Sequence, residues 1–184
     1  MRAASILLTT LVSVAGLAGG AEAASVYSKI DDAKCEVLQT YEDGGADLKC
    51  PGHDGIDVFV SEGDARLDVD YGVSSGNFET FSAFNNIGDT VEWLTGADGV
   101  AEAAILRFKI SVDGREAEAL VVSRVGAEGA PGCVIGVVDA SLEQANGMAR
   151  GIGAMAPLFD CRSDPVVIAP GARPLVRDFT GANS

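Results

Sequence analysis

The sequence predicts a mainly β domain (β+α) with one C-terminal helix, and three observations carry that expectation. Short apolar alternations recur between Gly- and Asp-containing turns through most of the chain, the pattern of strands and hairpins. One late segment departs from that pattern and takes helical spacing instead. Four cysteines lie downstream of an export leader, so they belong to an oxidising compartment. Consecutive strands joined by tight turns make an antiparallel meander, about eight strands closed as a barrel or bent as a curved sheet.

The leader comes first. Arg2 gives a positive start, Ile6 to Leu17 is an apolar run, and Ala21-Glu22-Ala23 supplies a small-x-small cut before Ala24. The run is shorter than the ~20 apolar residues of a spanning helix. No twin arginine precedes it, and no cysteine follows Leu17-Ala18-Gly19-Gly20, so the expected product is exported without a lipid anchor. The chain then divides into a signal peptide over 1–23, one β-rich domain with its helix over 24–161, and an extended or disordered tail over 162–184. The expected location is the periplasm or the secreted fraction. A net charge of −14 repels nucleic acid and anionic membrane. The partners it favours are a basic protein or a small ligand, with no stable membrane anchoring after cleavage; no cofactor is expected.

The strands follow in order. Glu36 to Tyr41 and Ala46 to Cys50 flank Glu42-Asp43-Gly44-Gly45; Ile56 to Ser61 and Ala65 to Tyr71 flank Glu62-Gly63-Asp64. Leu67, Val69 and Tyr71 alternate with Asp68 and Asp70, which predicts one buried face and one wet face. Val91 to Leu94 is a further strand. Phe108, Ile110 and Val112 alternate up to the Asp113-Gly114 turn, and the chain returns through Ala117 to Val125. Val134 to Asp139 completes the set. Ser141 and Gln144 then have the spacing of a capping box, followed by Leu142, Ala145, Met148 or Ala149, Ile152 and Met155 at helical intervals up to Pro157. The four-residue spacing of Gly147 and Gly151 predicts close packing of that helix on the sheet.

Cys35, Cys50, Cys133 and Cys161 allow three pairings. The local one, Cys35–Cys50 with Cys133–Cys161, is expected because each pair brackets a two-element unit. Each bridge contributes roughly 3–4 kcal/mol in the loop-entropy account. Without a Cys-x-x-Cys, and with one histidine, a structural zinc site or redox centre has no support.

Candidate chemistry is sparse, and no catalytic or metal-binding residue is assigned. His53, in Pro51-Gly52-His53-Asp54-Gly55, is either a general base with a nearby carboxylate or a solvated turn residue. The Asp43 to Asp47 and Gly52 to Asp57 turns have the Gly/Asp content of calcium loops, which ordinary turn chemistry also explains. Phe78, Phe81, Phe84 and Ile87 recur every three residues, as a binding patch or as a plug on the core. Trp93 reads as a buried ring whose N–H needs a partner. Glu143, Asn146 and Arg150 share one helix side with Asp139 just upstream, lining a polar pocket or docking the helix.

Glu92-Trp93, Val138-Asp139-Ala140 and Ala145-Asn146-x-x-Ala149-Arg150 resemble a family of small exported bacterial proteins without assigned function, though Leu94 stands where that family often has arginine. The resemblance implies one exported domain and no activity. Ser74-Ser75-Gly76-Asn77-Phe78 is similar to the inhibitory loop of periplasmic β-barrel lysozyme inhibitors, whose tyrosine and lysine companions have no match here. That resemblance implies a loop inserted into a basic enzyme, with Ser75 and Gly76 at its tip. The leading expectation is therefore a binding or inhibitory module, with Ser75, Gly76, Phe78, Phe81 and Phe84 as binding residues. A hydrolase using His53, or a structural envelope protein, are the alternatives.

Overall fold

Two antiparallel meanders, packed face to face, organise the chain. The computed structural model describes residues 24–42 and 44–181; the expected signal peptide and Asp43 lie outside the described residues. Strand β1 (Ala24–Lys29) precedes the first meander, made of β2 (Glu36–Thr40), β3 (Ala46–Pro51), β4 (Asp57–Gly63) and β5 (Arg66–Tyr71). A short β6 (Thr80–Phe81) leads into the second, made of β7 (Phe84–Thr95), β8 (Ala101–Val112), β9 (Arg115–Arg124) and β10 (Cys133–Asp139). The first meander is a four-stranded sheet in chain order. The second forms a six-stranded sheet, with β1 on the outside of β7 and β11 (Val167–Ile168) pairing parallel to β10. All eight expected strands are present, and no barrel closes among the described residues.

The larger sheet is buried on both faces, which explains its near-continuous apolar strands. In β8, Ala104, Leu106, Phe108 and Ile110 face the smaller sheet, where Val58, Val60, Val69 and Tyr71 meet them. Ala103 and Ile105 point the other way, to a second core under the helix. Burying each such branched or aromatic side chain stabilises the fold by roughly 1.5–3 kcal/mol. Trp93 is fully buried with Tyr71 edge-on at 5.5 Å, and its Nε1 donates to Ser28 Oγ at 2.9 Å. The expected N–H partner therefore comes from β1. Both expected disulfides are present, Cys35–Cys50 and Cys133–Cys161, and they suit an oxidising extracytoplasmic compartment.

Helix α1 (Ala145–Gly153) covers the second core through Ala145, Ala149 and Gly153, one small residue per turn. The Ser141–Gln144 capping box does not form. Gln144 occupies the cap position at φ +63° with no side-chain bond to the helix. Ser141 instead donates its hydroxyl (2.7 Å) and N–H (2.9 Å) to Asp139, a buried carboxylate that needs them more. Gly147 and Gly151 lie on the open side, so the close packing expected of them belongs to other glycines. A side chain at Gly153 would meet Leu94, and one at Gly136 of β10 would meet Ile152 at 2.7 Å. Among the described residues no helix is long and apolar enough to cross a membrane.

The segment from Arg162, expected as an extended or disordered tail, packs back onto the body through residue 181. It contributes β11, the short helix α2 (Pro174–Arg177) and β12 (Phe179–Thr180), which pairs with β6. Val176 is buried, and Phe179 meets Phe81 edge-on at 5.1 Å. Arg173 forks onto Asp139 with contacts of 2.7 and 2.8 Å. Burial opposes the Asp139 charge, but the Arg173 and Ser141 hydrogen bonds outweigh it and hold the carboxyl well below the usual carboxylate range. Arg150 similarly docks α1 on β7, with Nε 2.5 Å from Glu92 and Nη2 3.1 Å from Tyr27.

Candidate functional site

The loop between β5 and β6 is built on two carboxylates of β5. Asp70 Oδ2 accepts the Ser75 N–H at 2.6 Å and its hydroxyl at 3.0 Å, with Ser74 Oγ at 3.4 Å. Asp68 Oδ1 accepts the Glu79 N–H at 3.2 Å, and Glu79 in turn accepts the Val134 N–H at 3.0 Å. The loop therefore roofs the face of β5 that the alternation marks as wet: Asp68 and Glu79 are buried. Burial and the neighbouring Asp70 charge push the Asp68 carboxyl up to about 8. Burial also raises Asp70, against the pull of the Ser75 hydrogen bonds.

What this anchoring presents outward is a small pocket of about 390 Å³, lined by Tyr41, Asp47, Glu62, Gly63, Gly76 and Phe78 among others. Phe78 lies across Gly63, and Tyr41 donates to Asp47 Oδ2 at 2.6 Å. Gly76 turns the loop at φ +72°, in the left-handed region that glycine enters without cost. Tyr41 is 41 % and Phe78 43 % exposed. Beside them β2 is exposed along its whole length, with Val37 at 58 % and Leu38 at 50 %, and no strand pairs with its outer edge among the described residues.

The charge is concentrated in the same half. Residues 31–79, which include the smaller sheet and its loop, hold 13 Asp and Glu against three Lys and Arg, a net −10 of the chain's −14. All three of those cations are spoken for within the same half, by Lys34–Asp31 and Lys49–Asp57 at 3.0 Å each and Arg66–Asp64 at 3.2 Å.

The five expected binding residues do not form one patch. Gly76 and Phe78 line the pocket, while Ser75 turns its hydroxyl inward as an anchor. Phe81 is wholly in the core. Phe84, 54 % exposed, is a wall of a different cleft of about 610 Å³ with Asn86, Lys109, Ser111, Glu116 and Arg173. Three-residue spacing on extended chain alternates the face at each step, so these rings cannot share a side. Of the three rings only Phe81 plugs the core, with Ile87 packed partly buried against it. Tyr41 and Glu62 were missed because they come from separate hairpins that only the fold brings together.

His53 sits in its turn beside Trp93, ring centroids 6.2 Å apart. Among the described residues no carboxylate hydrogen-bonds or ion-pairs with it, and no three His, Cys, Asp or Glu converge as a metal site. No family model, curated protein or solved structure matches the chain.

Proposed function

We propose that this is a non-enzymatic binding module of the periplasm or the secreted fraction, whose acidic sheet takes a basic protein. One observation carries the reading: the half of the molecule with net charge −10 is also the half that exposes Val37, Leu38, Tyr41 and Phe78. A lysine or arginine of the partner enters the pocket with its stem on Phe78 and Tyr41 and its head near Asp47 and Glu62. The acidic field speeds the encounter, and the aromatic pair supplies the anchor. Asp70 and Asp68 hold the loop ready, so little ordering is left to do on binding.

Hen lysozyme, a basic protein, is the probe. Binding is expected at low salt and to weaken as salt rises, with inhibition of lysozyme activity if the loop enters its cleft. Tyr41→Ala with Phe78→Ala leaves the charge intact and is expected to weaken binding at least tenfold. Equal binding by that variant would reduce the effect to unspecific charge and overturn the reading, as would no binding at low salt. Ser75→Ala is expected to act less strongly, by loosening the loop.

A further inference from the structure

Strand β7 carries a large bulge at the place where the two sheets part. Ile87 pairs with Phe108 and Val91 with Leu106, so Gly88, Asp89 and Thr90 together face Arg107 alone. Bulges of this kind re-aim side chains and recur beside functional sites. Next to this one the sandwich opens into a cavity of about 700 Å³, larger than the pocket under the acidic loop and separate from it. Both sheets line it. Leu48, Val60 and Leu67 come from the smaller, Ile87 from the larger, and Ile30 from the link after β1.

The lining sets the chemistry of an occupant. Its apolar wall is aliphatic and has no aromatic ring, which suits a flexible saturated chain better than a flat ring system. The polar groups stand at the rim, and they are predominantly acidic. Asp89 is paired with Lys29 at 2.7 Å and Asp31 with Lys34 at 3.0 Å, so both nearby lysines are engaged. Asp32, also at the rim, has no ion pair among the described residues. An anionic head would meet three carboxylates there; a cationic head would meet Asp32.

We propose that this inter-sheet mouth binds the alkyl chain of an amphiphile whose head carries an ammonium group, free or presented by a lipid. The site is independent of the protein-binding face. The probe is an alkyltrimethylammonium series below its micelle concentration, read by isothermal titration calorimetry. Each added methylene is expected to tighten binding roughly fourfold, the buried-methylene increment expressed as an affinity ratio. Dodecyl sulfate is expected to bind at least tenfold more weakly than the dodecyl cation. Ile87→Lys should abolish binding of the dodecyl cation; because it carries a risk to folding, Asp32→Asn is the second variant, expected to keep the chain-length dependence and lose the preference for the cation. Flotation with phosphatidylethanolamine vesicles separates the sources: the protein rises with them if it takes the chain from a bilayer, and stays behind if the ligand is free. Three results would overturn the proposal: no chain-length dependence, unchanged head preference in Asp32→Asn, or a sedimenting dimer that amphiphile fails to displace, which would give the mouth to a second copy.

Discussion

The two edges of the smaller sheet are finished in opposite ways. On β5 the backbone is closed by side chains from β6 and β7: Asn85 Oδ1 accepts the Leu67 N–H at 3.0 Å, and Thr80 Oγ1 donates to the Leu67 carbonyl at 2.5 Å. The Asn85 N–H adds a bond to Ala65, and its side-chain amide donates to Thr80 at 3.1 Å. On β2 there is no such cover among the described residues; the strand carries a bulge after Val37 and is tied down just upstream of its first residue by Cys35–Cys50. An open edge is a hazard of unwanted pairing that folds normally suppress. One edge is sealed here and the other is open amid acidic charge, and the open one is the face that the proposed binding reading uses.

The largest expected effect tests what sealing β5 costs. Asp68 lies under its loop with a carboxyl raised to about 8, so the folded state holds a proton that the unfolded chain gives up near pH 4. That contribution is fully present below pH 4 and is lost as pH rises through about 8. Asp68→Asn is expected to be more stable than the parent by about 4 kcal/mol at pH 7 and equal to it below pH 4. Denaturant melts at both pH values measure this, and a destabilised variant at pH 7 would show that the charge itself holds the loop.

Breaking the tie on β2 comes next. Replacing Cys35 and Cys50 by serine should cost about 3 kcal/mol for a loop of this length. Hydrogen exchange should rise on β2 and β3 while β5 stays protected; uniform loosening would mean that the two edges are not independent. Asn85→Ala should cost about 2 kcal/mol, because it strands the partly buried Leu67 N–H, and exchange there should rise towards that of β2. The smallest change in stability, within about 0.5 kcal/mol, is expected for Leu38→Lys on the open edge. That variant should nevertheless lose affinity for a basic protein, and unchanged affinity would remove β2 from the binding face.

The meanders were legible because alternation and turn residues are local: Asp113-Gly114 marks the β8–β9 hairpin on its own, and the cysteines bracket their units. What was hidden depends on distant partners. The Asp68 and Asp70 face reads as wet until a Ser- and Gly-rich loop returns to cover it, and a small polar loop has no apolar pattern to announce that. Ser141 has a capping sequence, but the buried Asp139 outcompetes the helix for its hydroxyl. β1 is short and mixed in polarity, and its place is set by Ser28 meeting Trp93 and by pairing with β7. The candidate pocket was half visible: Gly76 and Phe78 could be named, whereas Tyr41 and Glu62 arrive from hairpins whose relative placement no local signal encodes.

The returning C-terminal segment bears on when the fold can be completed. Ala169 enters the core beneath the helix, whereas Val176 and Phe179 enter the core between the sheets, and Arg173 neutralises a carboxylate at the junction. Both layers are therefore finished by residues that follow both meanders in the chain. A chain in which this segment has not yet docked lacks that closure, and its two sheets stay provisional until it does. Loss of those residues by proteolysis would undo the same two cores together, so a single cut ahead of them loosens both layers at once.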